Sequence, residues 1–127
     1  MKTRAINAPE VPAPSGGYAQ VVEATGVQRI VHVSGQIPMA LDGTVPPDFL
    51  SQSRQAWANV EAQLRAADMT LDNLVKATIF LSDRRYAVEN RQVRNEVLGK
   101  RTPALTVIIT GIFDESWLLE IEAVAMA

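Results

Sequence analysis

Groups able to do acid–base or nucleophilic chemistry are sparse in this sequence. There is one histidine, His32, and no cysteine. That removes thiol catalysis, disulfides and zinc-finger-type metal centres, and a Ser-His-Asp triad would have to use the one imidazole. The carboxylate with the most suggestive setting is Glu120. Strand alternation groups it with Leu118, Glu122 and Val124 on a partly apolar face, where partial desolvation suits a carboxylate to proton transfer. The structural alternative is a strand-end carboxylate in an ion pair. Tyr18 offers a hydroxyl and a flat ring, or simple packing. Asn90 shares a helix face with Tyr86, Val93 and Val97, where its amide must find partners. It either fixes a neighbouring loop or lines a cleft. Ser34-Gly35-Gln36 closes a strand, and Gly35 there permits close approach of a ligand to the backbone, or merely a turn. His32, mid-strand, reads as a core or interface residue. Arg84, Arg85, Arg91, Arg94, Lys100 and Arg101 read as a solvated basic face.

The elements that must position these groups follow from periodicity and punctuation. Residues 1–17, with Pro9, Pro12, Pro14 and Gly16-Gly17, read as an extended arm. Residues 18–24 and 27–34 are β-prone runs separated by Thr25-Gly26, a hairpin signal. Asp42-Gly43 marks a turn, and Pro46-Pro47-Asp48 a helix entrance. From Asp48 to Ala67, Phe49, Ala56, Trp57, Val60, Leu64 and Ala67 recur at helical spacing. Residues 74–81 form a strand, Ser82-Asp83 caps a second helix running to Leu98, and Gly99 stops it. Strands over 104–110 and 117–126 complete the order β-β-α-β-α-β-β, an α+β domain with two helices on one face of the sheet. Runs such as Ile30-Val31, Val107-Ile108-Ile109 and Leu118-Leu119 predict that both sheet faces are buried. Two helices cover only one, so self-assembly is expected to cover the other.

With 127 residues, 47% hydrophobic and 20% charged, the chain fits one globular domain over 1–127. Twelve basic and fourteen acidic residues give a formal charge of −2, which disfavours attraction to nucleic acid or anionic membranes as a whole-molecule property. No run approaches a membrane span and the N-terminus lacks a signal-peptide core, so a cytoplasmic location is expected.

Taken in order, the residues resemble the Rid (YjgF) family of imine and enamine deaminases. The resemblance runs through Gly17-Tyr18-Ala19-Gln20, Ser34-Gly35-Gln36-Ile37-Pro38, Gln55 to Asn59, Val75 to Leu81 with Asp83, Asn90, Pro103-Ala104 and Glu120-Ile121-Glu122-Ala123. The Ser-Gly-Gln-Ile-Pro and Glu-Ile-Glu-Ala segments are its specific pair. It implies a chorismate-mutase-like fold, a homotrimer with sites between subunits, and cofactor-free, metal-free hydrolysis of imines to carbonyl compounds and ammonia. That chemistry needs little machinery, because a protonated C=N carbon is already electrophilic and the protein need only hold substrate and deliver water. The resemblance assigns water orientation to Glu120, pocket lining to Tyr18, and the pocket wall to Ser34, Gly35 and Gln36.

The pattern breaks after Pro103-Ala104. Family members acting on 2-imino acids carry there an arginine that pairs with the substrate carboxylate. Here Leu105 and Thr106 follow, and leucine cannot bind an anion. A neutral, cyclic or differently anchored imine, recruitment of another arginine, or binding without turnover are the readings left. A ligand-binding or stress-protective trimer is the alternative. Endoribonuclease activity, a label carried by some family members, is disfavoured by the acidic charge balance and the absence of a second histidine.

Overall fold

The computed structural model describes all 127 residues. Its strands are β1 (Lys2–Ile6), β2 (Val21–Thr25), β3 (Ile30–Gln36), β4 (Leu74–Leu81), β5 (Ala104–Ile109) and β6 (Leu119–Met126); its helices are α1 (Phe49–Ala66) and α2 (Ala87–Leu98). A four-stranded sheet in the order β3-β6-β4-β5 carries the core, and β1-β2 form a separate ribbon. β4 and β5 run parallel, joined through α2, while β6 is antiparallel to both its neighbours. A parallel pair needs such a crossover connection.

α1 begins where Asp48 accepts a hydrogen bond from the Ser51 amide at 3.0 Å, satisfying one of the free donors of the first turn. Its buried stripe of Phe49, Ala56, Trp57, Val60 and Leu64 meets Ala77, Ile79 and Leu81 of β4 and Leu119, Ile121, Ala123 and Ala125 of β6 in one core. Alternation along β6, and along β4 from Val75 on, leaves one face buried and the other half-buried or exposed. Asp83 caps a short 3-10 turn over Arg84–Tyr86, which leads into α2, and Gly99 at φ 59° ends that helix.

Two expectations are corrected. The arm contains a strand: β1 pairs with β2 from Lys2↔Thr25 to Ile6↔Val21, and the facing Arg4 and Glu23 come within 3.4 Å. The hairpin of the two β-prone runs does not form. Beyond Gly26 the amides of Gln28 and Arg29 both donate to the Ala127 carbonyl, and β3 pairs with β6. The sheet's outer side is left uncovered by the chain's own helices. β5 is an edge strand, and Val107, Ile108 and Ile109 are about two-fifths exposed on both its faces.

Candidate active site

One group of the sequence-predicted residues lies on the face of the sheet away from the helices. Glu120, half-buried, pairs with Phe80 across the β6–β4 ladder. The β3–β6 register slips between Val33 and Gln36, a bulge that carries Ser34 and Gly35. Bulges re-aim a strand locally. Here the bulge lays Gly35 directly under the Glu120 carboxylate: a Cβ on Gly35 would fall 2.0 Å from Glu120 Oε2. The close approach that Gly35 allows is thus filled by the protein's own carboxylate. Ser34 is exposed, its carbonyl accepting from Gln36 Nε2 at 2.9 Å, and Gln36 Oε1 accepts from Gln63 at 3.3 Å.

Beside Glu120 opens a hollow of about 250 Å³ lined by Phe80, Thr110, Gly111, Ile112 and Phe113. The loop after β5 that forms its wall is staked down by Gln52, a buried residue of α1. Its amide nitrogen donates to Pro46 and Ser116 carbonyls at 2.8 and 2.9 Å, and its oxygen accepts from the Leu118 amide at 2.8 Å. Gln52 escaped sequence reasoning, although its three-residue step from Phe49 and four-residue step to Ala56 place it on the inner face. Phe113, 95% exposed, stands over this hollow on an anchored loop.

A second group gathers on the helix side. The Ala19 amide donates to the Pro103 carbonyl at 3.2 Å and Ala19 bridges Ala104, tying Tyr18 to the segment just before Leu105. The Arg94 guanidinium carbon lies 5.9 Å from the centroid of the Tyr18 ring. Asn90, one helical turn before Arg94, is buried with its side-chain oxygen lacking any donor. The Tyr18 hydroxyl accepts from the Ser15 amide at 3.4 Å; this bond and the charges of Arg94 and Arg91 bring its pKa below the usual 10.0.

Within one chain the two groups do not meet. Leu105 pairs with Ala77, and Glu120 with Phe80 three residues on, so the two point to opposite faces of the sheet. Leu105 packs on the core from the helix side. Thr106 is on the outer face, its hydroxyl accepting from Lys76 Nζ at 2.6 Å, and so does not share Leu105's surroundings. The core reading of His32 fails, since it is exposed and lines an outer-face hollow with Lys76, Thr78 and Glu122. The solvated basic face also needs amending: Arg94 is only 4% exposed.

The sequence profile described as endoribonuclease L-PSP matches residues 8–127. The chain belongs to this family, the Rid family of the sequence resemblance. A RutC family protein of Haemophilus influenzae is 33% identical over 99% of this chain and 98% of its own length. The 2-iminobutanoate/2-iminopropanoate deaminase of Capra hircus is 30% identical over 97% of this chain and 89% of its own. The crystal structure of a Rid family protein of unknown function from Yersinia pestis superposes with a TM-score of 0.85 at 27% identity, covering both chains completely. Rid family relatives thus include named imine deaminases, and the two-helix, mixed-sheet architecture is theirs. No helix is long and apolar enough to cross a membrane.

Proposed function

We propose that this protein hydrolyses a reactive imine or enamine to a carbonyl compound and ammonia without a cofactor, at sites completed between copies of a homotrimer. The observation that carries the reading is the contact of Glu120 with Gly35, which joins the two most specific motif segments around one carboxylate beside a small apolar hollow. In this reaction water adds to the protonated C=N carbon. Glu120 accepts a proton from that water and returns it to the nitrogen; as the C–N bond then breaks, Glu120 takes the carbinolamine's hydroxyl proton, leaving the carbonyl compound and ammonia. Phe80 and Ile112 present apolar surface beside the reacting carbon.

The opposite facing of Leu105 and Glu120 supports assembly, because residues of the helix-side group can flank Glu120 only if another copy supplies them. The exposed apolar edge strand β5 supports it too. Sedimentation at micromolar concentration is expected to give three times the chain mass; a stable monomer overturns the shared site. Leu105 removes the anchor for a carboxylate next to the C=N carbon, so simple 2-imino acids bound in the usual family manner are poor substrates. An anion there would lose hydration without gaining a guanidinium.

The test is ammonia release from imines generated in place. Wild-type protein is expected to accelerate it, and Glu120→Ala to lower the rate by about a hundredfold or more with folding intact. Equal rates for the two proteins return Glu120 to a structural role.

A further inference from the structure

Of the arginines, Arg94 is the anomaly. The chain's three ion pairs, Arg4–Glu23, Arg54–Glu96 and Arg101–Asp72, all use other, more exposed arginines. Arg94 is 4% exposed and has no acidic partner. Its Nη2 donates to the Gly16 carbonyl at 3.3 Å, while its Nε is sealed from solvent with no acceptor. One turn earlier, the buried Asn90 Oδ1 has no donor. A guanidinium stays charged, and burying it without a counter-ion is strongly unfavourable. The surroundings do not compensate: Arg91 adds further positive charge, and only the Tyr18 ring offers an attractive face. Burial and Arg91 together press the guanidinium pKa below its ordinary value.

We infer that Arg94 anchors an anionic group of the substrate, doing from helix α2 what Leu105 cannot do from β5. A carboxylate is the matching group, since its two oxygens fit the guanidinium fork. The placement also sets the substrate class. Arg94 reaches from α2 to the arm at Gly16, a different element from the β5 position of Leu105, so the acid group it holds is displaced from the carbon beside C=N. The substrate is an imine whose carboxylate is separated from the imine carbon by further carbons. This class assignment rests on the imine-hydrolase reading; the anion site itself rests only on the geometry of Arg94.

Calorimetric titration of the full-length protein with three carbonyl probes tests it: levulinate, whose acid group is remote from the carbonyl; 2-oxopentanoate, whose acid group is adjacent; and neutral pentan-2-one. Levulinate is expected to bind at least about tenfold more tightly than the other two. Arg94→Met is expected to erase that advantage, and Arg94→Lys, which keeps the charge without the fork, to retain part of it. Equal binding of levulinate and pentan-2-one to the wild type, as when a buried water merely bridges Arg94 and Asn90, overturns the proposal. So does an advantage that survives in Arg94→Met. Tighter binding of 2-oxopentanoate than levulinate overturns the displaced placement. Should Arg94→Met not fold, the wild-type ranking and the Arg94→Lys variant decide. Arg94-dependent levulinate binding in a protein that releases no ammonia from any imine would sink the hydrolase reading and leave the anion site standing.

Discussion

On the outer face of the sheet, a carboxylate rests in the space a glycine leaves, beside an apolar hollow whose wall is pinned by Gln52. On the helix side, a guanidinium and an amide are buried with open hydrogen-bonding positions, and the arm meets the guanidinium only through the Gly16 carbonyl. The first arrangement is internally complete and resembles a preorganised reacting group. The second is incomplete in the single chain, and an unfilled buried polar group is where a ligand gains most by binding. Under the proposed function the contrast divides labour: the outer face for moving protons, the helix side for holding substrate.

Gly35→Ala is the sharpest way to break that division. The Gly35 backbone lies outside the left-handed region, so alanine is conformationally acceptable there and the flexible end of Glu120 can yield. Stability is expected to change little in thermal melts. Turnover is expected to fall by about tenfold or more, because misplacement of a reacting group by an ångström is costly. Unchanged turnover would mean that the position of Glu120 over Gly35 is incidental.

Leu105→Arg probes the other half. It restores a guanidinium beside Pro103-Ala104, and kcat/KM on 2-imino acids is expected to rise several-fold, short of a full recovery because Thr106 and Val107 are not shaped around an arginine. Wild-type turnover of 2-imino acids that already matches the arginine variant would remove Leu105 from the specificity argument. Gly17→Ala gives a smaller and different effect. Gly17 has φ 77°, and a Cβ there would fall 2.6 Å from Asn95 Oδ1 and 3.1 Å from Arg94 Nη2. The strained backbone is expected to cost about 1–2 kcal/mol in denaturant unfolding. Substrate KM should change more than kcat, the reverse of Gly35→Ala.

How much of this was legible in the sequence differs between the halves for a physical reason. Glu120 lies in a strand whose alternation fixes its face, whereas the approach of Ser34-Gly35 to it needed both the right strand order and a bulge between Val33 and Gln36 that alternation does not foresee. Both helices were also readable from periodicity, with Asp48 and Gly99 at their expected ends, but Asp83 caps the 3-10 turn and α2 itself starts later, at Ala87, without a side-chain cap. The failed hairpin shows the limit: β2 has two candidate neighbours, and local turn chemistry at Thr25-Gly26 did not decide between β1 and β3. Burial of Arg94 depends on the arm folding back over α2, a contact of 78 residues' separation. One signal was nevertheless available. Arg94 stands four residues after Asn90 and three before Val97, on the helix face already assigned inward, and should have been separated from the exposed Arg91 on that basis.

The smallest expected effect is electrostatic and tests whether the helix side is as electropositive as its residues imply. The chain has two tyrosines, Tyr18 and Tyr86, so ultraviolet difference titration against a Tyr18→Phe variant isolates the Tyr18 phenol. A donor to its oxygen and nearby cations both favour the phenolate over the neutral phenol, so Tyr18 is expected to ionise below its ordinary 10.0. The hydrogen bond from Ser15 is the main cause, with Arg94 and then Arg91 adding to it. Arg94→Met removes one cation, and the Tyr18 midpoint is expected to move up toward the ordinary value without reaching it, because the Ser15 bond remains. Added salt should raise the wild-type midpoint as well, through screening of the exposed Arg91. A bound carboxylate such as levulinate should act in the same direction as the substitution, by neutralising Arg94 where it stands. A midpoint that ignores Arg94→Met would show the guanidinium turned away from Tyr18 in solution, and the pairing of ring and cation on which the helix-side half is built would fail.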